Sequence, residues 1–426
     1  ERQRYVLERM LELNFITQAE YDQARSEVVK IADTKMAIRN VNYSIHAEYV
    51  AEMARMLMYD RFKDAAYTEG LKVYTTIIGK EQNAAYDAVR KAVFAYDRKY
   101  GYRGAEEHYE LPTDATGRKK TLEQIFAKHP DFDKLRAAVV TGTTGGVLKG
   151  ILSDGEQIEI SSANLGPAKA LLGASGKKGV RTGAVVRVVE NNDGNGYKIS
   201  QAPAVQASFV SMDPTDDPIH SLIGGFDFDL SKFNHITQGY RQPGSTIKPF
   251  IYSAAMQKNG MTPGSIVNDA EIKVGSWRPK NADGRYLGPI PLSTALASSR
   301  NMVSIRLLQS IGNDYFRSYA ERFGFEGKRI DKYLTVALGA IEATPYQMVG
   351  AYGTFANGGY KVDPYLITKV VDRDGKVILQ ANPRKAGDEK NRIITKENAA
   401  MVDSLLKGVV RGGTARAANA LGRSDI

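Results

Sequence analysis

The chain has 426 residues, of which 42% are hydrophobic and 25% charged; its formal net charge is +10, and it contains no cysteine. This length and composition are typical of a globular protein with about three domains. The lack of cysteine excludes thiolate catalysis, disulfide bonds and cysteine-ligated metals, and no run of about 18 apolar residues is present that could span a bilayer. The positive charge favours anionic partners such as nucleic acid, an anionic membrane surface or a cell-wall polymer.

Residues 1–30 predict two short helices, and Thr17 with Glu20 predicts a capping box at the start of the second helix. A helix-turn-helix that reads DNA would show a similar pattern. Apolar residues at helical spacing, such as Val6 and Met10, instead favour packing against a domain edge. Because the chain starts within a helical pattern and without a signal segment, we expect it to continue a larger protein whose membrane anchor lies upstream.

Residues 31–134 predict an α-rich linker region with a single strand at 71–77. The segment 81–101 has the periodicity of an amphipathic helix. Glu106 and Glu107 are sequence neighbours that would point apart on a helix, so we interpret them as surface residues and not as metal ligands.

Residues 135–205 predict a small all-β barrel of the OB type, because about five short β-rich runs follow one another with turn sequences between them. Tyr197 is the one aromatic residue of this segment, so we do not expect bases to stack on the barrel. The basic stretch 173–183 lacks the spacing of a phosphate-binding loop and is interpreted as a surface loop.

From residue 206 to the end the pattern is α/β, so the whole chain is predicted to be a multidomain α/β protein. The expected elements are two strands at 207–214 and 220–228, a helix from about Ser245, helices at 292–312 and 344–359, and a hairpin at 365–379 with its turn at Asp374–Gly375.

The stretch 241–250, RQPGSTIKPF, places Ser245 and Lys248 three residues apart at a predicted helix start. Free N–H groups and the helix dipole favour negative charge there, which suits a serine that becomes an alkoxide. Lys248 could take the serine proton if its amine were neutral. Lowering its pKa from about 10.4 to near 7 costs roughly 4–5 kcal/mol, which burial or a second cation must supply. A capping serine followed by a solvated lysine is the alternative interpretation.

Ser299 and Asn301 lie two residues apart at the end of an apolar helical stretch. The hydroxyl could pass a proton to a leaving group, and the amide could hold a substrate carbonyl and the lysine. A helix cap would account for the same two residues on their own. Together, S-x-x-K and the later S-x-N match two of the three sequence elements of penicillin-recognising serine acyltransferases.

The chain resembles the class A, bifunctional penicillin-binding proteins, and among these the type 1a proteins of Gram-negative bacteria. The similarity covers nearly the whole chain and is most specific in three stretches, 211–256, 276–312 and 337–367. In this family an OB-like insert precedes the transpeptidase domain. The resemblance implies a penicillin-binding, serine β-lactamase-like domain at 206–426, an antiparallel sheet flanked by helices. It also implies that 1–30 is the end of a glycosyltransferase domain.

The implied activity is a D,D-transpeptidase that crosslinks peptidoglycan stem peptides and is acylated by β-lactams. Ser245 would attack the penultimate D-Ala carbonyl, with Lys248 as base, Ser299 as proton relay and Asn301 as a contact to substrate and lysine. No cofactor and no metal is implied. Further expected partners are other cell-wall synthesis proteins, and nucleic acid is not expected. The implied location is the inner membrane, through an upstream anchor outside this chain, with the catalytic domains in the periplasm.

The resemblance also implies roles at the site for three further residues, and structural roles are the alternative to them. Trp277 and Asn281 fall where the family lines its substrate cleft, although a lone tryptophan is more often part of a core. Thr414 would either edge the site or cap the helix that follows it.

The third sequence element, K-[ST]-G, does not occur after Asn301. The nearest similar string, Arg181–Thr182–Gly183, belongs to the predicted barrel. We expect the missing element in sequence that follows Ile426, and with it the remaining oxyanion donor and the threonine that binds the substrate carboxylate.

Other functions share some of these features. A serine β-lactamase needs a carboxylate that activates water, usually as E-x-x-x-N, and no glutamate after Asn301 has asparagine four residues on. A D,D-carboxypeptidase differs only in its acceptor, water, and a β-lactam sensor would bind without turnover. The basic charge and the barrel also leave a nucleic-acid-binding protein as a remote alternative.

Overall fold

The structure is a computed structural model that describes residues 2–26, 45–132, 134–191 and 194–423. It divides into two units, residues 1–46 and residues 47–426. In the first unit, helices α1 (Arg2–Glu12) and α2 (Gln18–Ser26) are those expected from the sequence. The Thr17 N–H donates to Glu20 Oε2 at 2.7 Å, and the Glu20 N–H donates to Thr17 Oγ1 at 3.3 Å, which confirms the capping box. Residues 27–44, which comprise the end of the predicted first region and the start of the predicted linker at residue 31, lie outside the described residues.

The second unit begins with four elements of the predicted linker region. These are helices α3 (Glu48–Phe62) and α4 (Ala65–Thr68), strand β1 (Lys72–Thr75) and helix α5 (Gly79–Asp97). The predicted strand and amphipathic helix are confirmed. Ala85, Val89 and Val93 are buried on one face of α5 and pack with Phe226.

A six-stranded antiparallel sheet forms the barrel domain. It consists of β2 (Glu107–His108), β3 (Arg136–Thr144), β4 (Val147–Leu152), β5 (Gln157–Ile160), β6 (Ala184–Glu190) and β7 (Tyr197–Ser200), with helix α6 (Ala115–Lys128) between β2 and β3. The five predicted strands are all present.

The barrel extends further towards the N-terminus than the predicted boundary at residue 135. Strand β2 pairs with β6, and Ile125 of α6 packs against Val139 and Val185 of the sheet. Strand β2 was missed because it is two polar residues long, too short for an alternating pattern. Glu106 is exposed and Glu107 partly exposed, as predicted for surface residues. They form ion pairs with Arg187 and Lys128, and both contact His129.

The remaining chain forms a helical body with small antiparallel sheets. Its elements are β8 (Phe209–Met212), β9 (Ile219–Ile223), α7 (Lys248–Asn259), β10 (Ile266–Asn268), β11 (Pro289–Pro291), α8 (Leu292–Ala297), α9 (Asn301–Ile311), α10 (Asn313–Arg322), α11 (Pro345–Ala356), β12 (Ile367–Val371), β13 (Val377–Gln380) and α12 (Lys396–Gly412). Strands β8 and β9 pair with each other, and β12 and β13 form the predicted hairpin. Strand β1 completes a three-stranded sheet in the order β1–β12–β13.

Helix α7 lies at the centre of this body. Every residue from Lys248 to Met256 is buried, as expected for a helix with apolar side chains all round. The ring of Phe250 meets the rings of Phe323, Phe325 and Tyr352 edge-on. Such packing fixes the helix, and with it the chain segment immediately before it.

The single helix predicted over 292–312 is wrong, because the chain breaks between α8 and α9. Ser299 has φ of +52°, a left-handed conformation that no α-helix contains. The described part of the chain contains no helix with the length and apolar character needed to cross a bilayer.

Candidate active site

Ser245 lies in a single 3-10 turn, Gly244–Ile247, that leads directly into α7. Gly244 has φ of +59°, and the Lys248 N–H donates to the Ser245 carbonyl, which therefore does have a donor despite Pro249. Tyr352 donates through its hydroxyl to the Thr246 carbonyl at 2.7 Å. The turn thus holds Ser245 at the surface of the domain, while the helix behind it is buried.

Lys248 points away from solvent and has a relative exposure of 1%. Its Nζ donates to three oxygens: the Ser299 carbonyl at 2.7 Å, Ser299 Oγ at 2.9 Å and Asn301 Oδ1 at 2.8 Å. Ser299 Oγ in turn donates to Ser245 Oγ at 3.1 Å. The four predicted residues Ser245, Lys248, Ser299 and Asn301 therefore meet at one place, and Ser299 joins the other hydroxyl to the amine.

The environment of Lys248 favours a neutral amine. Burial, aided by the positive charge of Arg300 and opposed by Asp269, lowers the pKa of Lys248 from 10.5 to about 8. Burial is the larger cause because an ammonium loses its hydration in the protein interior. With a pKa of about 8 the amine is about half unprotonated at pH 8 and roughly a tenth unprotonated at pH 7, and this fraction can act as a general base.

Asn281 lies beneath the site. Its side chain is 4% exposed, and its Oδ1 accepts a hydrogen bond from the Asn301 N–H at 2.7 Å. Its Nδ2 donates to Asp269 Oδ1 at 3.0 Å and to the Arg285 carbonyl at 2.9 Å. These contacts support the backbone of Asn301, whereas the predicted contact with substrate stays a prediction.

Trp277 and Thr414 do not join the hydrogen-bond network of the other site residues. Trp277 is partly buried and packs against the core of the helical body, with its backbone paired to Val274. Thr414 is exposed, and its N–H donates to the Ala297 carbonyl at the end of α8. The predicted capping role of Thr414 is wrong, because Ala415 is the N-cap of the 3-10 helix Arg416–Leu421 and no side chain caps it.

Asp269 and Arg300 are polar residues of the site that the sequence did not reveal. Both are buried and form an ion pair with 2.8 Å between Arg300 Nε and Asp269 Oδ2. Arg300 occupies the variable position of S-x-N, where residue type carries no signal, and Asp269 stands in a segment without any pattern. Among the described residues, no three histidine, aspartate or glutamate side chains are arranged to hold a metal ion.

The chain belongs to the penicillin-binding protein family. Residues 207–424 match the penicillin binding protein transpeptidase domain, and residues 102–205 match the penicillin-binding protein OB-like domain, which begins ahead of the boundary predicted at 135. Ser245, Lys248, Ser299 and Asn301 all lie in the transpeptidase match.

The similarity to type 1a proteins is confirmed by individual relatives. Penicillin-binding protein 1A of Neisseria lactamica is 42% identical over 100% of this chain and 53% of its own length. The protein of the same name from Pseudomonas aeruginosa is 36% identical over 100% of the chain and 58% of its own length. The chain thus spans about half the length of the curated relatives it matches.

A solved structure agrees with this similarity. The crystal structure of penicillin-binding protein 1A from Haemophilus influenzae superposes with a TM-score of 0.82 at 32% identity. The match covers 99% of this chain and 66% of that one. The predicted fold class is confirmed.

Proposed function

We propose that this chain carries a serine-type D,D-transpeptidase that crosslinks peptidoglycan stem peptides through an acyl-enzyme on Ser245. The observation that carries the proposal is the chain of hydrogen bonds from Ser245 through Ser299 to the buried amine of Lys248. A buried lysine whose pKa is lowered and which is joined to an exposed serine is the arrangement that activates a serine nucleophile.

Acylation follows from these positions. Ser245 Oγ attacks the carbonyl carbon of the penultimate D-Ala, and its proton passes through Ser299 Oγ to Lys248 Nζ. The Ser245 N–H, at the start of the 3-10 turn, is one donor to the oxyanion. The peptide C–N bond then breaks, the terminal D-Ala leaves with the proton returned through Ser299, and the ester on Ser245 remains.

Deacylation uses the same groups in reverse. The amine of a second stem peptide attacks the ester, Lys248 takes the excess proton of that amine through Ser299, and Ser245 leaves and regains its proton. A β-lactam would form the same ester by opening of its ring, with no leaving group lost.

The acyl-enzyme should be long-lived towards water. Asp269 and Asp283 are the carboxylates next to Arg300, and both are bound to its guanidinium. A carboxylate held by a guanidinium is a weak base towards water, and no glutamate after Asn301 occurs in the E-x-x-x-N pattern that a β-lactamase uses.

For the full-length protein we propose the remaining properties that the resemblance to bifunctional penicillin-binding proteins implies. These are glycosyltransferase activity outside these 426 residues, an anchor in the inner membrane, catalytic domains in the periplasm and other cell-wall synthesis proteins as partners.

The test is a crosslinking assay with a stem pentapeptide as donor and a second stem peptide as acceptor, run on the full-length protein. The wild type should release D-Ala and form dimers, Ser245→Ala should do neither, and the exposed neighbouring Ser298→Ala should match the wild type. Release of D-Ala without dimers would instead indicate a carboxypeptidase. Dimers formed by Ser245→Ala would overturn the proposal.

A further inference from the structure

Asp269 is an acidic side chain buried beneath Ser299 and Asn301, with a relative exposure of 0%. Its Oδ1 accepts a hydrogen bond from Asn281 Nδ2 at 3.0 Å. Its Oδ2 accepts from Arg300 Nε at 2.8 Å and from the Leu287 N–H at 3.1 Å. Burying a carboxylate and its partner costs desolvation energy, which their hydrogen bonds offset only in part. A buried pair of this kind therefore suggests a role other than stabilising the fold.

Arg300 links Asp269 to the break between α8 and α9, where Ser299 lies. Its side chain is 4% exposed, and its guanidinium also donates to Asp283 Oδ2 at 2.9 Å and to the Arg285 carbonyl. The residue before it in the chain is Ser299, and the residue after it begins α9. The guanidinium therefore anchors the break between the two helices from below.

Asn281 anchors the other side of the same break. Its Oδ1 accepts from the Asn301 N–H at 2.7 Å and from the Met302 N–H at 3.4 Å, while its Nδ2 is held by Asp269. The two routes from Asp269, through Arg300 and through Asn281, converge on residues 300 and 301.

Ser299 is the residue that these anchors constrain. Its φ of +52° is a strained conformation for a side chain with a Cβ and costs about 1–2 kcal/mol. The end of α8 supports it locally, because the Ser299 N–H donates to the Leu296 carbonyl at 2.9 Å and the Arg300 N–H to the Ala295 carbonyl at 2.8 Å. The buried contacts of Arg300 and Asn281 then fix where this helix end lies relative to Lys248. In this conformation both its carbonyl oxygen and its Oγ accept hydrogen bonds from Lys248. A relaxed helical conformation would continue α8 and remove the break.

The same ion pair supplies the charged groups that face the amine. Arg300 disfavours the ammonium form of Lys248 and Asp269 favours it, and the two are the charged neighbours that act on this amine. The pair thus has two separable effects, one on the position of Ser299 and one on the charge balance around Lys248.

We propose that Asp269 and Arg300 are positioning residues of the acylation site: their buried ion pair, with Asn281, holds Ser299 in the left-handed conformation that joins Ser245 to Lys248. This inference rests on the proposed serine transpeptidase function. Asp269 and Arg300 act through Ser299 and do not touch the substrate.

The test is the rate of acylation by labelled penicillin as a function of pH, measured on the full-length wild type and on four variants. Thermal unfolding of each protein is measured as well.

Arg300→Met removes the anchor and leaves Asp269 without its positively charged partner. We expect its limiting rate to fall at least about tenfold and the midpoint of its pH profile to rise by about one unit, because the ammonium form of Lys248 is then favoured.

Three variants separate position from charge. Arg300→Lys keeps the positive charge but loses the planar guanidinium with its several donors. The midpoint of its pH profile should therefore stay unchanged, and its limiting acylation rate should fall only in part. The double variant Asp269→Asn with Arg300→Met removes both charges, so it should lose rate while its midpoint stays near that of the wild type. Such a replacement of a buried ion pair is often neutral for stability. Asp283→Asn, the half-exposed partner, should change the rate less than about threefold, since water screens it.

One result would contradict the positioning role alone, and another would contradict the proposed transpeptidase function. If the wild type is labelled on Ser245 but Arg300→Lys and the double variant, both folded, keep its rate and midpoint, the positioning role fails and the transpeptidase function stands. If the wild type is not labelled on Ser245, the proposed function itself fails. Should Arg300→Met not fold, the other two variants decide.

Discussion

At the residue scale, the proposed chemistry depends most on Lys248. The S-x-x-K spacing predicted its role, because a lysine three residues after a serine shares a helix face with it. Spacing could not predict that Ser299 stands between Ser245 and the amine, since that depends on a break between two helices. Nor could it predict Asp269, which reaches the site only through folding.

Lys248→Ala should abolish the acylation of Ser245 without unfolding the protein. The proton acceptor is lost, so the rate should fall by at least about 10²-fold, while the Asp269–Arg300 pair still holds the turn. Lys258→Ala, at the far end of the same helix, is the matched control and should acylate normally. Penicillin labelling and thermal unfolding measure both effects, and an unfolded Lys248→Ala would make the lysine structural instead.

Asp217→Asn should stabilise the protein at neutral pH. Both carboxylate oxygens of Asp217 are buried, and no described residue forms a hydrogen bond with them. Burial, with nearby Asp363, Asp216 and Asp213, raises the pKa of Asp217 from 3.8 to about 8. Because the folded state retains a proton that the unfolded state loses, the stability of the wild type falls as pH rises from about 4 to 8.

The Asp217→Asn variant carries no such proton, and asparagine tolerates the φ of +57° at this position. Its free energy of unfolding should exceed that of the wild type by about 2–5 kcal/mol at pH 8 and match it at pH 4. The upper figure corresponds to the full rise in the pKa of Asp217, about four pH units at about 1.4 kcal/mol each. Denaturant unfolding at both pH values measures the difference, with the exposed Asp314→Asn as control. Equal stabilities at pH 8 would show that the Asp217 carboxylate is solvated.

At the scale of elements, the site depends on a turn packed against a second turn. Gly339 has φ of +89°, and a Cβ there would lie 2.2 Å from the Gly244 carbonyl oxygen, inside the turn that carries Ser245. The sequence predicted the helices from their periodicity, but this approach of two backbones leaves no periodic signal. The short strand β2 and the break at Ser299 were missed for the same reason.

Gly339→Ala should therefore slow penicillin acylation by displacing Ser245. Gly260→Ala is the matched control, because Gly260 has φ of +64° but open space around its Cβ position. Both variants should lose about 1 kcal/mol of stability from backbone strain, and only Gly339→Ala should lose acylation rate. Equal rates in the two variants would show that the contact with Gly244 does not set the position of the nucleophile.

At the scale of the whole molecule, the predicted linker is not a spacer between domains. Strand β1 forms the edge of the sheet with β12 and β13, nearly 300 residues later in the chain. In α5, Gln82 Nε2 donates to the Leu222 carbonyl at 3.0 Å, and the Leu222 N–H donates to Gln82 Oε1 at 2.8 Å. Pairings over such sequence separations cannot be read from local patterns, which is why the sequence did not reveal that part of the predicted linker region packs with residues beyond 206.

Gln82→Ala should consequently destabilise the transpeptidase domain. The variant leaves the buried N–H and carbonyl of Leu222 unpaired, which costs about 1–3 kcal/mol. The exposed Asp87→Ala on the same helix should have little effect. The temperature at which penicillin binding is lost measures this directly. An unchanged temperature for Gln82→Ala would mean that α5 does not support the domain.

The central claim is that Ser245 is made nucleophilic by the neutral amine of Lys248. The most direct test is peptide mass mapping of the protein after brief exposure to penicillin at pH values on both sides of 8. The account predicts one intact-penicillin adduct on Ser245, in the tryptic peptide 242–258, formed faster as the pH rises towards 8. An adduct on another side chain, or one whose rate of formation does not depend on pH in this range, would contradict it.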